Sequence, residues 1–370
     1  MISTDRLQKL QNEIASQNLD AALISNPPNI IYLTNYSGFS SEEREAFLLI
    51  TPKQQYILTD GRYSQAVKKL IPNFELIEIS GKSKFKDLLK ILVAKLKIYK
   101  LGIEEEDLKV DEYRLVKKVI KNLQDFKFHQ HRRVKTPEEI KLIEKACQIG
   151  DKAFELILTK IKKDISEKEL MFHLENFIRE QGFEPSFKTI VAFAENSAVP
   201  HHQTGDKKLK SGDFVLLDFG VKFKNYCSDM TRTRVFGKPS QKQKRIHEVV
   251  LDSQKKAITF LQNQLPKHST PGVGVGVLAK DVDKAARDYI LGQGFPSIPH
   301  SLGHGIGIEV HEHPYLSMNS KEILEEGMVF SIEPGIYLPE LGGVRIEDLF
   351  VIEKGGVRQL TKSNKEFAQL

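Results

Sequence analysis

The run Val215-Leu216-Leu217-Asp218-Phe219-Gly220, followed by Tyr226-Cys227-Ser228-Asp229-Met230-Thr231-Arg232-Thr233, constrains this chain more than any other stretch. Its first half is rich in β-formers and apolar on both faces, the pattern of a strand buried on both sides. A carboxylate at Asp218 is costly there unless a positive group meets it. With Asp229 eleven residues further on, the stretch reads as a buried hairpin carrying two acids. A divalent cation would neutralise both. Taken alone, the pair is explained better by two unrelated strand-end residues, one capping a turn and one facing water.

Three distant positions favour the cation. His304 stands in Leu302-Gly303-His304-Gly305-Ile306-Gly307, Glu333 in Ser331-Ile332-Glu333-Pro334-Gly335 and Glu347 in Val344-Arg345-Ile346-Glu347-Asp348, each on a strand-like or glycine-flanked segment. An Asp, Asp, His, Glu, Glu set holds too many oxygens for a closed structural zinc site. It suits two cations of the Mn, Co, Fe or Zn type with carboxylates bridging them. Two such cations about 3.5–4 Å apart share a water and acidify it enough to supply hydroxide near neutral pH.

The rest of the composition narrows the class. At 370 residues, 40% hydrophobic and 28% charged, the chain can build two domains and a large core. The formal charge of +6 is spread over helices in Lys-Glu mixtures, a solvated surface and not a nucleic-acid face. No apolar core of signal-peptide length opens the chain, and no run approaches the roughly 18 apolar residues of a membrane span. A cytoplasmic protein with no membrane partner is expected. Cys147 and Cys227 offer neither a disulfide framework nor paired zinc-ligand spacing, and Cys227 is expected to pack.

Along the chain, apolar spacing predicts a helix over 3–19, a strand over 20–24, a hairpin of 46–51 and 55–59 around Pro52-Lys53, and a strand over 74–79. A helix over 83–96, a strand over 100–103 and a helix over 107–120 follow. This alternation makes residues 1–130 one αβ domain. His129 and His131, in a basic linker without acidic neighbours, are expected to be solvated. At Thr136-Pro137-Glu138-Glu139 a capping box opens a second domain, 136–362, with helices over 136–161 and 166–181, where Ser166-Glu167-Lys168-Glu169 repeats the pattern. Strand 188–193, the acid-bearing hairpin, helices to 261 and over 280–291, and strands carrying His304, Glu333 and Glu347 complete it. Pro271-Gly272-Val273-Gly274-Val275-Gly276 lacks the Lys-Ser/Thr and spacing of a nucleotide loop and reads as a flexible lead-in to the next helix.

Motif by motif and in order, the chain resembles metallopeptidase family M24, in the branch of Xaa-Pro aminopeptidases (aminopeptidase P) and Xaa-Pro dipeptidases (prolidases). The resemblance is carried by Pro200-His201-His202, Asp218-Phe219-Gly220, Ser228-Asp229-Met230-Thr231-Arg232-Thr233, Gly303-His304-Gly305-Ile306-Gly307-Ile308-Glu309-Val310-His311-Glu312, Glu333-Pro334-Gly335-Ile336-Tyr337 and Val344-Arg345-Ile346-Glu347-Asp348. It covers most of residues 136–360, and more loosely the N-terminal part. It implies an α/β (α+β) protein: an N-terminal creatinase-like αβ domain and a C-terminal pita-bread metallopeptidase domain whose two αβ halves share one dinuclear site.

The resemblance further implies a metal-dependent exopeptidase that cleaves the N-terminal Xaa-Pro bond of proline-containing peptides. Aminopeptidase stands first, dipeptidase second, and a non-catalytic pita-bread binding module third. Two divalent ions are expected, Mn first with Co, Zn or Fe as alternatives, held by Asp218, Asp229, His304, Glu333 and Glu347. Glu333 doubles as general base. By the same resemblance His311 binds the scissile carbonyl, His201 the proline side at the rim, and His300 the peptide, with Tyr337 a further substrate contact. Arg345, two residues before Glu347, could orient Asp229 or another carboxylate, and Thr231 could add a hydroxyl from the face of Asp229. Asp60-Gly61-Arg62-Tyr63 reads either as a turn with a surface arginine or as part of the substrate mouth. A homodimer is implied as well.

Overall fold

The structure is a computed structural model that describes residues 2–40, 42–265 and 276–367. The glycine-rich lead-in read at 271–276 therefore lies, but for Gly276, outside the described residues. The chain divides into two units, Met1–Arg132 and Arg133–Leu370.

In the first unit, Ala46–Ile50 and Gln55–Asp60 form the hairpin that Pro52-Lys53 predicts, and Ala21–Ile24 pairs antiparallel with Ala46–Ile50. Parallel strands extend both sides: Glu75–Ile79 beyond Gln55–Asp60, and Lys100–Ile103 beyond Ala21–Ile24. A sixth strand, Asn122–Asp125, pairs parallel with Lys100–Ile103 at the sheet edge. Its Asn-Leu-Gln-Asp sequence has no apolar alternation, which a short edge strand does not require, and the sequence reading missed it. His131, expected to be solvated, is instead packed on Phe126 and Phe128 with Nε2 2.7 Å from Glu13 Oε2, and burial pushes its pKa down. Arg62 stays on Asp60, with NH2 2.8 Å from Oδ2, and is exposed.

The second unit has two cores. Helices Pro137–Leu158 and Glu167–Glu180 start at the predicted boxes: Thr136 with Glu139, and Ser166 with Glu169. They cover a sheet of Ile190–Phe193, Phe214–Phe219 and Met230–Val235 through Phe154, Ile157, Leu174 and Ile178. Each such fully buried side chain contributes about 1.5–3 kcal/mol relative to exposure. Helices Gln241–Gln264 and Ala279–Gly292 bury Val250, Ala257, Val282 and Ala286 with Phe330 and Phe350. The last two belong to a five-stranded sheet in the order Glu312–Leu316, Gly303–Gly305, Val329–Ile332, Asp348–Glu353, Gly356–Gln359. Each αβ half thus buries its own apolar face, and the polar groups collect where the two sheets' strands meet. Among the described residues no helix is long and apolar enough to cross a membrane.

Candidate metal centre

Strand register brings the first two acids to one face. Phe214–Phe219 pairs antiparallel with Met230–Val235, with Asp218 opposite Thr231 and Phe219 opposite Met230. Asp229, two residues before Thr231, falls on the face of Asp218 and Thr231. Between the acids the chain makes a detour. It turns at Gly220, pairs Val221–Phe223 with Tyr226–Cys227, and reverses through Lys224 and Asn225 at φ 46° and 71°, the left-handed pair that matches strand twist in a tight hairpin. A Cβ on Gly220 would lie 1.8 Å from the Ser228 carbonyl oxygen, so only glycine permits this corner. Cys227 is buried beside it, and burial pushes its thiol up to about 12.

The glutamates sit at a matching break, and not on strands as the sequence reading had them. Val329–Ile332 pairs with Asp348–Glu353 as far as Ile332 opposite Asp348, and Gly335–Leu338 pairs with Gly342–Arg345 from Gly335 opposite Arg345. Glu333 and Glu347 occupy the gap between these ladders, where Pro334 has no N–H to continue the pairing. The gap is stitched to the first hairpin: Glu347 N–H donates to Thr231 O at 3.1 Å, and Thr233 Oγ1 donates to Arg345 O at 3.0 Å. On Gly303–Gly305, next to Val329–Ile332, the His304 N–H donates to Ser331 Oγ at 3.0 Å.

All five predicted ligands converge. His304 Nε2 lies 3.3 Å from Glu333 Oε1, 3.7 Å from Asp229 Oδ2 and 3.9 Å from Glu347 Oε1. One ligand atom from each of Asp218, Asp229 and Glu347 falls within 4.8 Å of the others, and the same holds for His304, Glu333 and Glu347. Glu347 belongs to both groups, as a bridging carboxylate would. A third group, Asp229, His304 and His311, adds an imidazole that the sequence reading reserved for substrate. His304 Nδ1 faces Gly305 O at 3.0 Å, which fixes its N–H there and aims Nε2 at the carboxylates, as in a ligating histidine.

The charges fit a pair of cations. Among the described residues, Asp229 Oδ1 and Glu347 Oε1 are buried without a hydrogen-bond partner, an expense that coordination would remove. Burial, then the charges of Glu347 and Asp218, holds the Asp229 carboxyl well above its ordinary value. Burial, reinforced by Glu333 and Asp218, lifts Glu347 to about 8. Burial also raises Asp218, against the opposing pull of Arg345. Glu333 differs: burial pushes it up, but the hydrogen bond and charge of His304 prevail and bring it to about 2. His304 responds in kind, rising to about 9 against burial.

Arg345 resolves the choice left open for it. Its NH2 donates to Asp218 Oδ2, Nε to Thr231 Oγ1 at 3.0 Å, and NH1 to Pro200 O and the Tyr337 hydroxyl, both at 3.2 Å. Thr231 Oγ1 in turn donates to Glu347 Oε2 at 2.7 Å. The guanidinium therefore orients a carboxylate from each group, one directly and one through a hydroxyl. Tyr337, predicted as a substrate contact, does not line the cavity: its oxygen accepts from Arg345 and stands 2.8 Å from His300 Nε2. His300 Nδ1 lies 2.7 Å from Ser301 O, and burial lowers its pKa. A neutral imidazole donating from Nδ1 and accepting at Nε2 satisfies both contacts, which leaves His300 no free N–H for a peptide. His201 and His311 are exposed on the wall of a cavity of about 640 Å³ that also contains the five ligands. The His311 ring lies 4.3 Å from that of His304, edge to face.

Residues 141–354 match metallopeptidase family M24, and residues 6–133 match the creatinase/prolidase N-terminal domain. The chain belongs to metallopeptidase family M24. A Xaa-Pro dipeptidase of Pyrococcus horikoshii is 36% identical over 99% of this chain and 99% of its own. The solved structure of a Xaa-Pro dipeptidase from Bacillus anthracis superposes with a TM-score of 0.88 at 36% identity, covering 100% of both chains. An X-Pro aminopeptidase from Thermotoga maritima gives 0.82 at 33%, covering 95% of this chain and 98% of that one.

Two supports of this M24 metallopeptidase site escaped the sequence reading. Ser331 Oγ, near the end of strand Val329–Ile332, donates to Glu333 Oε1 at 3.0 Å two residues on. Arg232, fully buried, donates from NH1 to Glu347 O at 2.6 Å and pairs through NH2 with Asp348 Oδ1 at 2.6 Å. Arg232 stands inside a motif that carried the resemblance, and Ser331 two residues before one. No local signal marked Arg232 for burial, since its strand, Met230–Val235, alternates threonine and arginine.

Proposed function

We propose that this M24 metallopeptidase hydrolyses the Xaa-Pro bond of proline-containing dipeptides. The reading is carried by two ligand groups sharing Glu347 in one cavity, in a chain that matches Xaa-Pro dipeptidases along nearly its whole length. Asp218, Asp229 and Glu347 would hold one cation, and His304, Glu333 and Glu347 the other. Manganese is the expected ion, with cobalt, zinc or iron acceptable to the same donors. When bound, such ions polarise a carbonyl and make water acidic enough to ionise near neutral pH.

The chain's own residues do the rest. Ser331 donates to Glu333 Oε1, which leaves Oε2 to take the proton of the attacking water and deliver it to the departing proline nitrogen. His311 offers an N–H to the oxygen of the scissile carbonyl as negative charge develops there. His201 holds the proline side at the rim. His300 and Tyr337 act through Arg345, keeping Asp218 in place. A cytoplasmic homodimer completes the proposal.

The test is protein stripped with a chelator, reloaded with Mn, and assayed on Ala-Pro and Ala-Pro-Ala. Metal-dependent cleavage of the dipeptide, with the tripeptide roughly tenfold or more slower, is expected. Preference for the tripeptide would transfer the proposal to the aminopeptidase reading, which the Thermotoga maritima enzyme supports. Cleavage of neither would sink both.

A further inference from the structure

The loop that brings His201 to the cavity is tied from behind by an acid with no part in the reaction above. Glu167 opens helix Glu167–Glu180 and is 0% exposed, whereas a helix-opening glutamate is ordinarily solvated. Each carboxylate oxygen meets two donors. Oε1 accepts from the Phe193 N–H and from Asn196 Nδ2, both at 2.8 Å. Oε2 accepts from the Gly205 N–H at 2.9 Å and lies 2.9 Å from His202 Nε2. The helix returns the contact: Glu167 N–H donates to Lys207 O and Lys168 N–H to Gly205 O, both at 3.0 Å.

Residues 193–205 thus hang at both ends on one carboxylate. His201 sits between two anchors: Pro200, whose carbonyl accepts from Arg345, and His202, held by Glu167. Four donors converging on two oxygens suit an ionised carboxylate, which accepts only. A glutamine of the same shape would turn its NH₂ toward one donor pair. His202 could adapt by changing tautomer, but the Gly205 N–H could not.

We propose that Glu167 is the positioning residue of His201. Through His202 and the Gly205 amide it sets where the His201 imidazole stands on the cavity wall, and so how firmly substrate is held, without touching the ligand set. The inference rests on the reading of His201 as a substrate contact.

The test uses Glu167→Gln, His202→Leu, His202→Gln and the Glu167→Gln/His202→Leu pair in Mn-loaded enzyme. Bound metal, kcat and KM on Ala-Pro are measured, together with amide hydrogen exchange at Phe193 and Gly205 in metal-free protein. Glu167→Gln should keep its metal, raise KM roughly tenfold and lower kcat less than about threefold, the signature of lost substrate holding. Exchange at Gly205 should speed up roughly tenfold or more while the amides of Leu216 and Leu217 stay slow. His202→Leu should raise KM similarly, His202→Gln should restore it because its amide still donates, and the double variant should be no worse than the poorer single. Unchanged KM and exchange would overturn the proposal. So would a joint loss of metal, melting temperature and kcat, which would make Glu167 a purely structural acid. If wild-type protein cleaves no Xaa-Pro peptide, the dipeptidase reading fails by itself, and exchange at Gly205 alone then decides whether Glu167 holds the loop.

Discussion

Asp229 is the acid whose surroundings are hardest to explain without a metal: it is buried, it faces Glu347 and Asp218, and its Oδ1 has no partner among the described residues. Asparagine keeps its volume and removes its charge. Because burial already holds the Asp229 carboxyl toward its neutral form, Asp229→Asn should leave the metal-free melting temperature close to that of wild type. Bound metal and metal-dependent turnover should both fall by roughly a hundredfold or more, beyond what losing a mere supporting group costs. Elemental analysis, a melt and an Ala-Pro assay on one preparation check this. Full metal with full activity would remove Asp229 from the ligand set. Identity and spacing made this residue legible, but the partner of Arg345 was not. Sequence placed the guanidinium on the strand face of Glu347, and only the closure of two distant ribbons put Asp218 within its reach.

The two ribbons place their acids at interruptions, and this explains which elements could be read from sequence. Capping boxes at Thr136 and Ser166 are local, so both helix starts were legible. The break at Glu333 and Glu347 depends on which strands pair, and local β-propensity carried the strands straight through it. The corner at Gly220 tests whether this geometry matters. A methyl group there would collide with the Ser228 carbonyl, forcing apart the strands that bear Asp218 and Asp229. Gly220→Ala should cost about 1–3 kcal/mol of stability, as overpacking does. It should also weaken Mn binding by far more than a remote substitution of equal stability cost. A denaturant midpoint and a Mn titration on the same variant separate the two effects, and unaltered Mn affinity would show that the corner does not set the spacing of the acids.

Across the whole chain, alternation of period 2 and period 3.6 ordered most elements of both units, because each buries an apolar face of its own, but not the edge strand Asn122–Asp125. Contacts with no sequence period stayed hidden, such as the four donors on Glu167 or the chain from Arg345 through Tyr337 to His300. Buried ionisable groups of this kind also shape how the folded protein responds to pH. Away from the site, burial, with Arg234 and Arg232 adding repulsion, brings His247 down to about 3. Unfolding returns it to about 6.5, so between those values the unfolded chain binds the extra proton. The stability contributed is therefore full above about pH 6.5 and is lost as pH falls toward 3, by up to about 1.4 kcal/mol per unit. His247→Gln should flatten that slope in urea midpoints taken between pH 7 and about 5, and an unchanged slope would mean other groups set it. The metal site carries the opposite imbalance. Without ions, Asp229 is held toward its protonated form by burial and the charges of Glu347 and Asp218, Glu347 by burial and the charges of Glu333 and Asp218, and His304 is lifted to about 9 by Glu333 against its burial. Ligation needs the carboxylates ionised and Nε2 of His304 bare, so Mn binding must expel protons and apparent affinity must rise with pH. Calorimetric titration in two buffers of different ionisation enthalpy should show net proton release near pH 7 that shrinks toward about pH 9. Saturating metal should then raise the melting temperature, by the equivalent of about 2.7 kcal/mol at a hundredfold excess over Kd. Binding without proton release would mean that the acids are ionised before metal arrives, and that something other than burial sets their charge.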